Sequence, residues 1–121
     1  EPQNMGAKSS APEDPGNTKY ADTPADFDAM LAEAGDKTVF VDFTATWCPP
    51  CKMIGPKFVA FSKEFTDAVF IKVDVDKNKP TAQKHGIRAM PTFMAFKNGQ
   101  KLDEFCGADA GKLKQMIEKH K

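Results

Sequence analysis

Apolar positions along this chain recur with two different periods, and the periods lay out its elements. Thr23-Pro24-Ala25-Asp26 reads as a helix start: a capping hydroxyl, a first-turn proline and an acid three residues on. Phe27, Met30, Leu31 and Ala34 follow at helical spacing, and Gly35 ends the run. Thr38 to Thr44 is nearly continuous in apolar, β-branched and aromatic residues, which suits a central strand buried on both faces. The helix after it carries Ile54, Phe58, Phe61 and Phe65 along one side, with Pro56 inside to kink it. Val69 to Val73 reads as a second buried strand, and Pro80 to Lys84 as a short helix stopped by Gly86. Thr92 to Phe96 and Lys101 to Cys106 are strands joined through Asn98-Gly99, a strong two-residue hairpin signal. A last helix starts near Asp109 and turns Leu113, Met116 and Ile117 inward. The order predicts an α/β fold whose sheet is mixed, parallel where helices cross over and antiparallel at the hairpin.

Length and charge narrow the picture. The 121 residues make one domain, and 17 basic residues balance 17 acidic ones, so no net field draws nucleic acid or an anionic membrane. No apolar run approaches the ~20 residues that span a bilayer. Residues 1–17 hold three prolines, two glycines and no apolar pattern, and read as a disordered N-terminal tail or an expression scar, leaving 18–121 as the domain. Within that tail, Met5-Gly6-Ala7-Lys8-Ser9-Ser10 would fit a myristoylation pattern if Met5 were the initiator.

The chemistry concentrates in TATWCPPCKMIGP, Thr44 to Pro56, where Cys48 and Cys51 flank two prolines. Structural zinc needs four ligands, and beyond this pair the chain offers only Cys106, His85 and His120, none paired at ligand spacing. A purely structural disulfide across so short a loop would remove little entropy from the unfolded chain. A reactive pair explains the placement better, because it falls where a buried strand ends and a helix begins, the edge at which α/β sheets bind ligands. Cys48 would cap that helix, with Pro49 and Pro50 in its first turn. The helix's positive end favours the thiolate, which is the attacking species, and Lys52 adds positive charge. Asp42 is the one carboxylate in its strand: either a base whose pKa burial raises, or an acid at a solvated strand end. Lys72, alone in the next strand, could be a snorkelling lysine. His85 and His120 read as surface residues. Cys106 reads either as a small buried hydrophobe or as a regulatory thiol.

Trp47-Cys48-Pro49-Pro50-Cys51-Lys52 resembles the active site of the thioredoxin family. Val41-Asp42-Phe43 before it, Pro56 after it, Gly86 to Thr92 with its Met90-Pro91 pair, Phe96-Lys97-Asn98-Gly99 and Gly107 also match in order, so the resemblance covers roughly Tyr20 to the C-terminus. It implies a thioredoxin fold, a central mixed five-stranded sheet flanked by four helices. It also implies roles. Cys48 would be the nucleophile, Cys51 the resolving thiol, Asp42 the proton acceptor for Cys51, and Lys72 the partner of Asp42. A cis bond before Pro91 would set Met90 beside Cys48 to pair with an extended client, although a trans proline opening a strand fits the sequence alone. Trp47, Pro49, Pro50, Met90, Pro91, Gly107 and Ala108 would form the client surface.

The activity so implied is protein-disulfide reduction by dithiol–disulfide exchange, with no bound cofactor and electrons from NADPH through a thioredoxin reductase. Clients would include peroxiredoxin, methionine sulfoxide reductase and ribonucleotide reductase. The chain would be monomeric, with an oxidised dimer or a glutathione adduct available through Cys106. It would be cytoplasmic, or secreted or organellar if a leader was removed before Glu1. The rival readings are a disulfide oxidant or isomerase, against which Pro50 argues where that branch carries histidine, and a binding module whose redox state switches partner affinity. One departure stands out: the family usually has glycine where this chain has Pro49, whose ring removes a backbone N–H from the helix's first turn.

Overall fold

The computed structural model describes residues 14–121. Nine elements follow in chain order: β1 (Thr18–Tyr20), α1 (Pro24–Ala34), β2 (Val39–Thr44), α2 (Pro49–Glu64), β3 (Val69–Asp74), α3 (Lys79–Lys84), β4 (Thr92–Lys97), β5 (Gln100–Cys106) and α4 (Ala110–His120). The five strands form one sheet in the order β1-β3-β2-β4-β5. β1, β3 and β2 run parallel, and β4 and β5 are antiparallel additions. Asn98 and Gly99 both take positive φ in the β4–β5 turn, the backbone that a two-residue hairpin requires.

Alternation along the central strands divides the core in two. Val41 and Phe43 of β2 face one side of the sheet with Ile71, Val73, Met94 and Phe96, where Phe27 and Ala34 of α1 cover them. Phe40 faces the other side with Phe70 and Phe93, covered by Ile54 and Phe58 of α2 and by Leu113, Met116 and Ile117 of α4. Burying each of these large side chains is worth about 1.5–3 kcal/mol, which is what holds α2 and the motif at its start against the sheet. Asp42 alternates with Phe40, so its carboxyl shares the α2 side.

Several details depart from the pattern reading. β1, only three residues long, shows no period of its own; it exists because Thr18, Lys19 and Tyr20 pair with Phe70, Ile71 and Lys72. Thr38 stands just before β2, its hydroxyl donating to the carbonyl of His120. His85 and His120 are half-buried rather than on the surface. The His85 ring lies 5.5, 5.8 and 5.5 Å from those of Phe27, Phe43 and Phe96, because α3 drops it between α1 and the sheet. His120 Nε2 sits 3.0 Å from Asp103 Oδ2. Of the N-terminal segment, residues 1–13, including the Met5–Ser10 pattern, lie outside the described residues. Asp14 to Asn17 rest on α2, where Asn17 N–H donates to Ser62 Oγ at 3.0 Å and Asn17 Nδ2 to Ser62 O at 3.1 Å. Gly16 takes φ 59° there, and a Cβ on it would come within 2.8 Å of Ser62 Oγ.

Candidate active site

β2 leaves the sheet at Thr44, and a tight turn carries the chain into α2. Cys48 is extended at φ −97°, ψ 108° and caps the helix, its sulfur accepting from Cys51 N–H at 3.2 Å. The first two helical residues are Pro49 and Pro50, which have no N–H to offer, so the sulfur takes its bond from the third. Cys48 and Cys51 are joined as a disulfide with Cα atoms 5.2 Å apart, and each is 4% exposed. Cys51 is therefore no deeper than Cys48 in this oxidised form. Ala45, Val75 and Met90 pack around the pair.

Three neighbouring segments complete the surroundings. The Met90–Pro91 peptide bond is cis, and Cys48 Sγ lies 3.7 Å from the Met90 carbonyl oxygen. Pro91 is buried and Met90 half-buried. The Pro91 carbonyl accepts from Gly107 N–H at 2.9 Å, which ties the end of β5 to this loop, and Ala108 beyond it is exposed. Trp47 is 60% exposed, not core, and its indole N–H donates to Asp76 Oδ2 at 2.8 Å. Asp74 holds that loop in shape, its Oδ1 accepting from the N–H groups of Asp76 and Lys77. Pro49, Pro50 and Met53 are exposed, Met53 at 74%, so an apolar rim surrounds the sulfurs.

Asp42, in the strand that leads to the pair, is 1% exposed, its Oδ1 without a hydrogen-bond partner. Burial pushes its pKa up to about 7, and the charge of Lys72 opposes that rise. Lys72 is the register neighbour of Asp42 across β2 and β3 and acts on it through space. The solvated strand-end alternative does not hold, because β3 and β4 flank Asp42 on both sides. Cys106 is exposed, not a buried hydrophobe; its sulfur lies 3.4 Å from Thr92 Oγ1, whose hydroxyl donates to Ala89 O at 2.6 Å.

Asp76, Thr92 and Met53 also stand at this site, though neither the hydrophobic pattern nor the cysteine pair singles them out. Asp74-Val75-Asp76-Lys77 after a buried strand is an Asx-turn signal that points to the first of these. Met53 carried a weaker one, being apolar yet off the helix face of Ile54 and Phe58. Among the described residues, no group of three or more His, Cys, Asp or Glu is placed to hold a metal ion.

Comparison with known proteins agrees with this geometry. The family model described as Thioredoxin matches residues 18–119. A thioredoxin of Geodia cydonium is 50% identical over 103 residues, covering 84% of this chain and 97% of that protein. A thioredoxin of Malassezia sympodialis is 58% identical over 88 residues, 71% of this chain and 84% of that protein. The crystal structure of a Nicotiana alata thioredoxin superposes with a TM-score of 0.86 at 34% identity, covering 93% of this chain and 99% of that one. The Fasciola hepatica thioredoxin structure gives 0.84 at 42% identity, with 85% and 99% covered. With its fold, its helix-capping cysteine pair and these relatives, the chain belongs to the thioredoxin family and is a thiol–disulfide oxidoreductase of the protein-disulfide reductase type.

Proposed function

We propose that Cys48 and Cys51 reduce disulfides in client proteins and are returned to the dithiol by an NADPH-dependent thioredoxin reductase. The observation that carries this reading is the Cys48 sulfur at the tip of α2, accepting a backbone N–H and standing 3.7 Å from the Met90 carbonyl. A helix N-terminus favours negative charge, so the reduced Cys48 is held as thiolate. It attacks one sulfur of a client disulfide, forming a mixed disulfide and expelling the other sulfur as thiolate, which takes up a proton. Asp42 accepts the proton of Cys51, and Cys51 attacks Cys48 in the mixed disulfide. The client leaves with two thiols, and the pair is left oxidised. Two electrons have passed, and NADPH replaces them through the reductase.

The client docks as an extended segment on Trp47, Pro49, Pro50, Met90, Pro91, Gly107 and Ala108, pairing with the backbone of Met90. Peroxiredoxin, methionine sulfoxide reductase and ribonucleotide reductase are the client classes that the family suggests. The protein works as a monomer without bound cofactor, and the cytoplasm, whose glutathione and thioredoxin systems keep thiols reduced, suits that cycle. The exposure of Cys106 supports a regulatory thiol at the edge of the client surface. Trapping tests the reading. Cys51→Ser should accumulate mixed disulfides through Cys48 that mass spectrometry identifies, and wild type should reduce insulin with NADPH and reductase. A Cys48→Ser variant that still reduces insulin overturns the mechanism, and one that keeps its partners and its biology without turnover favours the binding-module reading.

A further inference from the structure

A cavity of about 450 Å³ lies on the flank of Cys51, and neither Cys48, Trp47, Met90 nor Gly107 lines it. Part of its lining is a row across the sheet. Tyr20 of β1 is the register neighbour of Lys72 in β3, and Lys72 in turn of Asp42 in β2. Tyr20 and Lys72 line the cavity, Cys51, Lys52 and Pro56 contribute from α2, and Lys77 from the loop after β3. Three ammonium groups therefore meet two carboxylates, Asp22 and Asp74. Asp74 is already engaged by the N–H groups of its own loop. Among the described residues, none of the three lysines has an ion-pair partner. Tyr20, 53% exposed, offers a ring face without a partner ring among the described residues. The volume falls within the range of about 300–1,000 Å³ in which proteins hold small molecules.

We propose that this cavity is a second ligand site, distinct from the client surface, for a small anion with a flat aromatic body. The ring would lie against Tyr20 and Pro56 and the anionic group among Lys52, Lys72 and Lys77. With three ammonium groups against two carboxylates, one of them already engaged by its own loop, the lining favours an anion over a cation or a body without charge. An occupant would also reach the chemistry. Lys72 is the charged group that acts on Asp42, β4 sets Phe93 opposite that acid, and α2 brings Lys52 to the same cavity. An anion beside Lys72 offsets its charge, so Asp42 holds its proton to higher pH, and protonation of Asp42 tightens the anion by the same factor.

The test uses the oxidised full chain and the probe naphthalene-2-sulfonate, followed by backbone amide NMR, so its outcome does not depend on redox turnover. The expected result is saturable shifts at Tyr20, Thr46, Gly55 and Lys77, with a Kd on the order of 1 mM. Tyr20→Ala and Lys77→Gln, each at an exposed position, should weaken binding about fivefold, and inorganic phosphate, lacking the ring, about tenfold. The carboxyl resonance of Asp42 should titrate at higher pH with the probe bound. Shifts that fail to saturate, that centre on Trp47 and Met90, or that persist unchanged in both variants overturn the proposal. So does phosphate binding as tightly as the probe.

Discussion

Replacing Asp42 with asparagine exchanges the buried acid for a neutral group of the same shape, and the structure sets the size of the effect. Asp42 is 1% exposed, and burial raises its pKa from 3.8 to about 7. At about 1.4 kcal/mol per pH unit, that rise makes the ionised form about 4 kcal/mol less stable in the fold than in the unfolded chain. The native state binds the extra proton between those two values, so this group's contribution to stability falls as pH climbs from about 4 to 7 and then levels off. Asparagine does not titrate. It carries a fixed penalty of about 1–3 kcal/mol for an amide without partners, the same at every pH. The informative quantity is therefore the stability of Asp42→Asn relative to wild type at pH 8 minus the same difference at pH 4. Urea unfolding of both oxidised proteins at the two pH values should give about 4 kcal/mol in favour of the variant. In single-turnover reduction of a client disulfide, the variant should resolve the mixed disulfide about a hundredfold more slowly and without a titration near pH 7. A difference between the two pH values below about 1 kcal/mol, or of opposite sign, would refute the buried-acid reasoning.

Other residues make separate demands. Pro49→Gly should leave the Cys48 thiolate pKa, read by ultraviolet absorbance, within about half a unit of wild type, because the bonded N–H belongs to Cys51. The same variant should lose about 0.4–1 kcal/mol in urea unfolding, since glycine loosens the unfolded chain. Asp76→Ala frees the Trp47 indole; KM for a protein client should rise severalfold while Tm moves little, the bond being exposed. His85 has its pKa lowered by burial first and then by Lys84 and Lys101, so its native form is neutral. The stability it holds is present above 6.5 and lost as pH falls below it, so His85→Gln should close the gap to wild type between pH 7 and pH 5 in thermal melts. Peroxide should couple two Cys106 thiols into a disulfide-linked dimer on non-reducing gels, with water as the reduced product, and Cys106→Ser should abolish it.

Legibility from sequence followed the strength of local signals. The capped start of α1, the apolar run of β2 and the Asn98-Gly99 turn each carry their own physics within a few residues, and each stands where that physics puts it. β1 carries none: three residues bury one side chain, and only the open edge of β3 makes them a strand. His85 misled for a related reason. An isolated histidine capping the end of a short polar helix looks solvated until Phe27, Phe43 and Phe96, distant in sequence, close around it. Cys106 misled in the opposite direction, since a lone cysteine reads by its residue type as a small buried hydrophobe, whereas β5 is the sheet's edge and leaves that end exposed.

The active-site motif shows how far spacing alone reaches. Two cysteines three positions apart at a strand-to-helix junction already place one sulfur at the helix cap. What spacing could not decide was the effect of a second proline on the donors available to that sulfur. A cap accepts from the second or third amide of the helix, not the first. Pro50 has already removed the second, so the third is the one left to Cys48 whichever residue stands at position 49. The bond from Cys51 N–H at 3.2 Å is that third donor. Pro49 therefore takes away an amide that this capping geometry does not use, and its influence on the pair runs through the stiffness of the turn.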